Sequence, residues 1–143
     1  MKIAEVETIP LAIPFTHGGK PAGWGGKAWT SLSVLLVKVT TEEGVTGYGE
    51  AFSYNCLRSV QAAFDDMVAP IVVNQEVDDI GIFLAEVQQK LHLFGRYGIV
   101  MFALSGLDIA LWDISAKTVN MPLWRLFGER RQDRLPAYAS LYR

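Results

Sequence analysis

The sequence predicts an α+β domain, a three-stranded antiparallel sheet followed by a helical bundle. Three observations carry that expectation. The first part of the chain, up to Ala51, holds runs of β-branched and aliphatic residues with strand character. A glycine-containing turn, Thr41 to Gly44, separates two of them. Beyond Leu57 the apolar residues recur at i, i+3, i+4 spacing. Strands first and helices after is the α+β order.

The first strand spans Ile3 to Ile13, and Pro10 and Pro14 suit it to a sheet edge, where a missing N–H is tolerated. The second spans Thr30 to Thr41. Leu32, Val34 and Leu36 share one face and Leu35, Val37 and Val39 the other, so both faces of its centre are expected to be covered. Val45 to Ala51 returns as the third strand, with Gly47 and Gly49 marking a close backbone approach or a bulge. Between the first two strands, Phe15 to Trp29 holds five glycines, Pro21, Trp24 and Trp29, which is loop composition. Loops of this length are usually functional or disordered, and two tryptophans argue for a surface to cover.

The first helix is expected over Leu57 to Val72, with Val60, Ala63, Phe64, Met67 and Val68 inward. Asp78 and Asp79 can open the second, Ile80 to Leu93, which turns Ile80, Phe83, Leu84, Val87 and Leu91 inward. The third runs from Ile99 to Val119 with Val100, Ala103, Leu104, Leu107, Ala110, Leu111 and Ile114 as its apolar stripe. Asp113 and Lys117 form an i, i+4 pair in the favourable order, a contribution of about 0.2–0.5 kcal/mol. Asn120 can adopt the left-handed stop, and Pro122 at a first helical position starts a short helix that Gly128 ends.

The 143 residues fit one domain with a sizeable core. Half are hydrophobic and a fifth charged, with a net charge of −2 and no basic stripe, which argues against nucleic-acid binding. The single cysteine, Cys56, excludes an internal disulfide and suits a reducing compartment. Two acids among the first seven residues argue against a signal peptide, and an uninterrupted apolar run such as Val34 to Val37 is far short of a membrane span. A cytoplasmic protein with no membrane partner is the expectation.

The most specific stretch runs from Ala103 to Gly128 and carries Ser105, Gly106, Asp108, Ala110, Asp113, Lys117, Pro122, Leu126 and Gly128. It closely resembles the first signature of the mandelate racemase/muconate lactonizing group of the enolase superfamily. A match over so many constrained positions is more specific than an isolated glycine or acidic motif. The resemblance extends from Met1 through Gly47-Tyr48-Gly49-Glu50 to Gly128, with Asp108, Asp113, Lys117, Pro122 and Gly128 as its structural signature. It implies an enolase-like N-terminal capping domain over 1–128, with 129–143 as a linker and the first strand, Leu135 to Tyr142, of a (β/α)-barrel.

The family's capping domain closes over the barrel mouth, and two of its loops cover substrate. These correspond to Phe15–Trp29 and Phe52–Arg58, with Thr16, His17, Trp24 and Tyr54 as the candidate covering residues. The implied chemistry is abstraction of a proton α to a carboxylate, with Mg²⁺ stabilising the enediolate. Its ligands and bases lie on barrel strands, and a barrel needs roughly 250 residues. Only residues 129–143 follow Gly128, and no Lys-x-Lys pair occurs. No catalytic or metal-binding residue is therefore assigned, and this chain alone is expected to bind no metal and to be inactive.

The implied substrate is a small carboxylate or sugar acid, the implied assembly a homo-oligomer, and the implied reaction sugar-acid dehydration or racemisation. A muconate-lactonizing or dipeptide-epimerase-like isomerase is the runner-up. A stand-alone binding or assembly module is the alternative of another class.

Other candidates favour plain readings. Asp108 and Asp113 lie five residues apart on a helix and point about 140° away from each other, so they cannot share one ion. Asp108 is expected to accept bonds at a domain junction. Asp65, Asp66, Glu76, Asp78 and Asp79 suit helix ends and solvated faces. His92 sits near a helix end, and Cys56 reads as a small buried hydrophobe rather than a nucleophile. The glycines around Gly18 and Gly25 lack the strand-to-helix context of a phosphate loop.

Overall fold

The structure is a computed structural model that describes residues 1–16, 28–128 and 134–139. Strands β1 (Ile3–Pro14), β2 (Ser31–Thr41) and β3 (Thr46–Ala51) form one antiparallel sheet in the order β1-β2-β3. Thr41 N–H donates to the Val45 carbonyl, and Gly44 takes φ +81°, which closes the β2–β3 hairpin as the sequence predicts. A register shift between Ile3 and Glu5 bends the start of β1. There the Ile3 N–H donates to the Gln75 carbonyl and the Asn74 N–H to the Ile3 carbonyl.

Helices α1 (Leu57–Ala63) and α2 (Ala69–Val72) are joined by a π-helical turn, Phe64–Val68. The sequence reads this stretch as one regular helix. The widened turn ends two residues before Pro70, whose ring has no N–H and would press on the carbonyl of Asp66 in a regular α-helix. The turn also brings Asp65 to β1, where it accepts from the Thr8 hydroxyl at 2.9 Å, while the Gln61 side-chain amide donates to the same hydroxyl at 3.2 Å.

Helix α3 (Ile80–Lys90) opens on Asp79, whose carboxylate accepts from the Ile82 N–H at 2.8 Å. A 3₁₀ turn, His92–Phe94, takes up the end that the sequence assigns to the helix. Helix α4 spans Ile99–Thr118, and Asn120 stops it at φ +49°. Pro122 is the N-cap of α5 (Leu123–Leu126), one position earlier than expected, and Gly128 at φ +125° follows. Residues 134–139 carry no regular structure, because no strand of the sheet pairs with them. Ser140 to Tyr142 of the expected strand lie outside the described residues.

The core lies between one sheet face and the helices. Leu35, Val37 and Val39 of β2 are fully buried against Val60, Phe64, Val68 and the predicted stripe of α4. The opposite sheet face departs from expectation. Val34 and Leu36 are half-buried and Leu32 is 49% exposed, because the helical layer covers only the other face. Helix α4 is long and apolar enough by composition to cross a membrane, which an inspection of uninterrupted apolar runs does not reveal. Half of its apolar window is buried inside the fold, as befits a core helix.

Helix α4 approaches β3 through glycines on both sides. A Cβ at Gly47 would meet the Ala110 carbonyl and lie 2.6 Å from Ile114 Cγ1. One at Gly49 would meet the Gly106 carbonyl and lie 2.7 Å from the Ala110 nitrogen. Gly106 itself leaves no room, since its Cβ would fall 2.6 Å from Val37 Cγ2. The neighbouring atoms are mostly backbone and cannot move aside cheaply. Gly49→Ala is therefore expected to destabilise the domain by about 1–3 kcal/mol or to prevent folding. Ile82→Ala, at an exposed position, should stay within about 0.5 kcal/mol of the parent. Urea denaturation checks both, and coincident curves for Gly49→Ala and the parent would refute the close-packing account.

Candidate functional site

The antiparallel order brings three chain segments to one end of the sheet. β1 ends there at Pro14, β2 begins there at Ser31, and β3 ends there at Ala51. The β1–β2 connection and the segment Phe52–Arg58, both expected to cover substrate, therefore emerge side by side. Of the named candidates, Thr16 is exposed and without regular structure at the end of β1, while His17 and Trp24 lie outside the described residues.

Tyr54 anchors an aromatic cluster at this end. Its ring meets Trp29 edge-on at 5.2 Å between centroids and stacks on Phe52 at 6.3 Å. Phe52 in turn meets Phe102, on the first turn of α4, at 4.9 Å. Such pairs contribute about 0.5–1.5 kcal/mol each beyond area burial, which fixes the loop while leaving Phe52 and Tyr54 partly exposed. Sequence reading misses Phe102, since it lies off the buried stripe of α4 and nothing local marks it.

The loop's backbone is held from below. Ser53 is buried, its hydroxyl reaches the Ser33 carbonyl at 3.5 Å, and its own carbonyl accepts from the Cys56 N–H at 3.0 Å. Asn55 takes φ +54°, a left-handed turn that asparagine tolerates better than most residues. The chain then enters α1 beside two adjoining grooves. One, of about 290 Å³, is lined by Ser33, Asn55, Cys56, Leu57, Arg58 and Ser59. The other, of about 420 Å³, lies between Pro10, Leu11 and Ala12 of β1 and the same Ser33, Leu57 and Arg58.

The signature residues fall elsewhere and do structural work. Asp113 Oδ2 accepts from the Tyr48 backbone N–H at 2.9 Å and from Lys117 Nζ at 2.7 Å. Lys117 Nζ also donates to the Thr46 carbonyl at 2.8 Å and lies 5.4 Å from the centre of the Tyr48 ring. The predicted i, i+4 pair thus reaches across to the open edge of β3. Asp108 is half-buried and, among the described residues, makes no hydrogen bond or ion pair. Its expected role at a domain junction finds no partner here. Trp112 meets Phe127 edge-on at 4.9 Å between centroids, which ties α5 to α4.

Groups with shifted titration lie away from the aromatic cluster. Lys2 and Lys38 are raised above the ordinary lysine value by hydrogen bonds to Glu42 and Glu7, and Glu43 is lowered by a hydrogen bond from Thr41. Among the described residues, no three His, Cys, Asp or Glu side chains converge as a metal-binding set.

Comparison with known proteins places this geometry. The profile of the mandelate racemase/muconate lactonizing enzyme N-terminal domain matches residues 20–128. The arabinonate dehydratase of Saccharolobus solfataricus is 30% identical over 103 residues, covering 72% of this chain and 28% of that enzyme. The D-galactonate dehydratase of Xanthomonas euvesicatoria pv. vesicatoria is 38% identical over 107 residues, covering 73% of this chain and 27% of the relative. The chain therefore spans little more than a quarter of these curated relatives. A mandelate racemase/muconate lactonizing protein of Paracoccus denitrificans, solved with magnesium, superposes with a TM-score of 0.74 at 29% identity, over 94% of this chain and 32% of that one.

The clamp on β3 yields a test. Asp113→Ala removes the acceptor of the Tyr48 N–H and should cost about 1–2 kcal/mol. Lys117→Met, whose side chain is more exposed, should cost about 0–1 kcal/mol. Thermal or urea denaturation ranks the two, and the reverse order would show that Lys117 carries the edge.

Proposed function

The chain belongs to the mandelate racemase/muconate lactonizing enzyme family, as its N-terminal capping domain, and on that premise we propose that it is the lid of a sugar-acid dehydratase. The reaction would remove a proton α to a carboxylate and then expel water, on a small acid held beneath the lid. The observation that carries this reading is the convergence of both covering loops on one sheet end, with Phe52 and Tyr54 presented there on an anchored turn. The two dehydratases among the relatives support the choice of reaction.

The metal this chemistry uses would be Mg²⁺, which the Paracoccus denitrificans relative holds. It would stabilise the charge that builds on the substrate when the proton leaves. The described residues offer no donor set for it, so no step is routed through a metal on this chain. The ligands and bases would lie on a barrel that follows the lid, with residues 129–143 as linker and first strand. What this domain contributes is exclusion of water and orientation of the substrate by aromatic surface.

We further propose a cytoplasmic homo-oligomer. Leu93 and Tyr97, at 81% and 90% exposure, are large side chains that an assembly would cover. The racemase or lactonizing outcome is the competing reading within the family.

A longer polypeptide bearing this domain and a barrel tests the proposal. Incubated with D-galactonate, D-arabinonate and related acids in Mg²⁺, it should release a 2-keto product and lose activity in EDTA. Exchange of the α-proton without water loss would convert the reading to a racemase. Neither exchange nor elimination across the acids would overturn it. In such an enzyme Tyr54→Ala should raise KM about tenfold or more, while urea denaturation shows the lid still folded and less stable by about 1–3 kcal/mol from its two lost ring contacts.

A further inference from the structure

We propose that the turn between α3 and α4 of one copy seats on the uncovered sheet face of a second copy, a head-to-tail contact between unlike surfaces. The inference deepens the homo-oligomer reading above and rests on it for the assembly. Its own ground is the match between two surfaces of this domain.

The first surface is a knob. Every residue from His92 to Gly98 is exposed, and Leu93, Phe94 and Tyr97 among them are large and apolar. The 3₁₀ turn His92–Phe94 and the positive φ of Gly95 and Gly98 turn the chain between the two helices, and these side chains project instead of joining the core. Lys90, His92 and Arg96 stand beside them, and no acid occurs between Glu86 and Asp108. Among the described residues, Lys90 and Arg96 form no ion pair.

The second surface is an apolar patch with an acidic border. On the sheet face that no helix covers, the register sets Ile9 opposite Leu36, Leu11 opposite Val34 and Ile13 opposite Leu32. Leu11, Ile13 and Leu32 are exposed and the other three half-buried. Glu50 of β3 stands opposite Leu36, while Glu5 and Glu7 continue the same face of β1. Lys38 is the only basic residue in the three strands, and Glu7 engages it at 3.1 Å. Glu5 and Glu50 form no ion pair among the described residues.

An apolar tip with free cations thus matches an apolar patch with free acids. One copy cannot satisfy itself, because the knob belongs to the helical layer and the patch to the opposite side of the sheet. Like against like is also disfavoured, since knob on knob gathers cations and patch on patch gathers acids. A second copy is the occupant that supplies the missing half each time. Because the two surfaces differ, copies add in a closed ring or an open chain and do not stop at a pair. Three side chains on one side and six on the other fall well short of the roughly 20–30 residues a side of a standard interface. A single contact is therefore weak, and ring closure, which holds each copy twice, would stabilise it.

Self-association of the 143-residue chain tests this without turnover. Amide NMR spectra recorded from micromolar to millimolar concentration should show Leu93, Phe94, Arg96 and Tyr97 shifting together with Ile13, Leu32 and Val34, at one midpoint. Leu93→Ser with Tyr97→Ser removes the knob, and Ile13→Ser with Leu32→Ser removes the patch. All four positions are exposed, and retained dispersion of the core amides will confirm that each variant is folded. Each double variant alone should associate at least about tenfold more weakly than the parent, and Arg96→Glu should do the same. An equimolar mixture of the two double variants should form a one-to-one pair and nothing larger in sedimentation equilibrium, since one intact knob and one intact patch remain. Ile109→Ser, at an exposed position on α4, should change nothing.

Shifts confined to one of the two surfaces, a mixture that associates no better than its components, or no association at millimolar concentration would each overturn the proposal. So would an Ile109→Ser effect as large as that of the knob variant, which marks general stickiness. In a longer polypeptide bearing a barrel, an oligomer whose mass neither double variant lowers would keep the homo-oligomer reading and remove this contact. A monomeric longer enzyme, beside a 143-residue chain that pairs knob to patch, would do the reverse.

Discussion

The contact on which the rest of the domain depends is the backbone-to-backbone seating of α4 on β3. Gly47 and Gly49 on the strand and Gly106 on the helix remove the side chains that would otherwise hold the two apart. Close seating brings Leu107, Ala110, Leu111 and Ile114 into the same layer as Val37 and Val39. It also sets the height at which α4 begins, and hence where Phe102 meets Phe52. The position of the aromatic cluster is therefore a consequence of glycines that never touch it.

That seating is reinforced at the strand's edge and transmitted to the loop. Asp113 and Lys117 bind two backbone groups of β3, and the next residues of that strand lead into Phe52 and the buried Ser53. The π-helical turn plays the corresponding part on the other side, joining α1 to Thr8 of β1. A covering loop held at both its flanks loses less conformational entropy when a ligand arrives, which favours binding. Rigid support beneath mobile chemistry is a common arrangement for such sites.

How far the sequence discloses this depends on whether the signal is local. The stripe of α4 is legible because seven side chains repeat at helical spacing, and all seven are buried. Gly106 lies in that stripe yet carries no apolar signal, so its close approach to Val37 of β2 and Ala51 of β3 emerges only when the sheet is in place. The Asp113–Lys117 pair is legible as i, i+4 neighbours. Its reach to Thr46 and Tyr48 is not, because those residues lie about 65–71 positions away along the chain. Strand β2 misleads for a related reason, since aliphatic residues alternate on both its faces while the helices return to only one.

The treatment of the sheet's two edges has a bearing on how the protein survives at high concentration. An uncovered strand edge is a template on which a second chain can add its own strand, the first step towards aggregation. On β3 the side chains of Asp113 and Lys117 already occupy an N–H and a carbonyl of that edge. On β1, Pro10 and Pro14 withhold N–H groups from any incoming strand, and Lys2 bridges to Glu76 at the other end. A family signature that reads as a helix pattern thus doubles as a guard against misassembly, and its loss would show first as precipitation during expression.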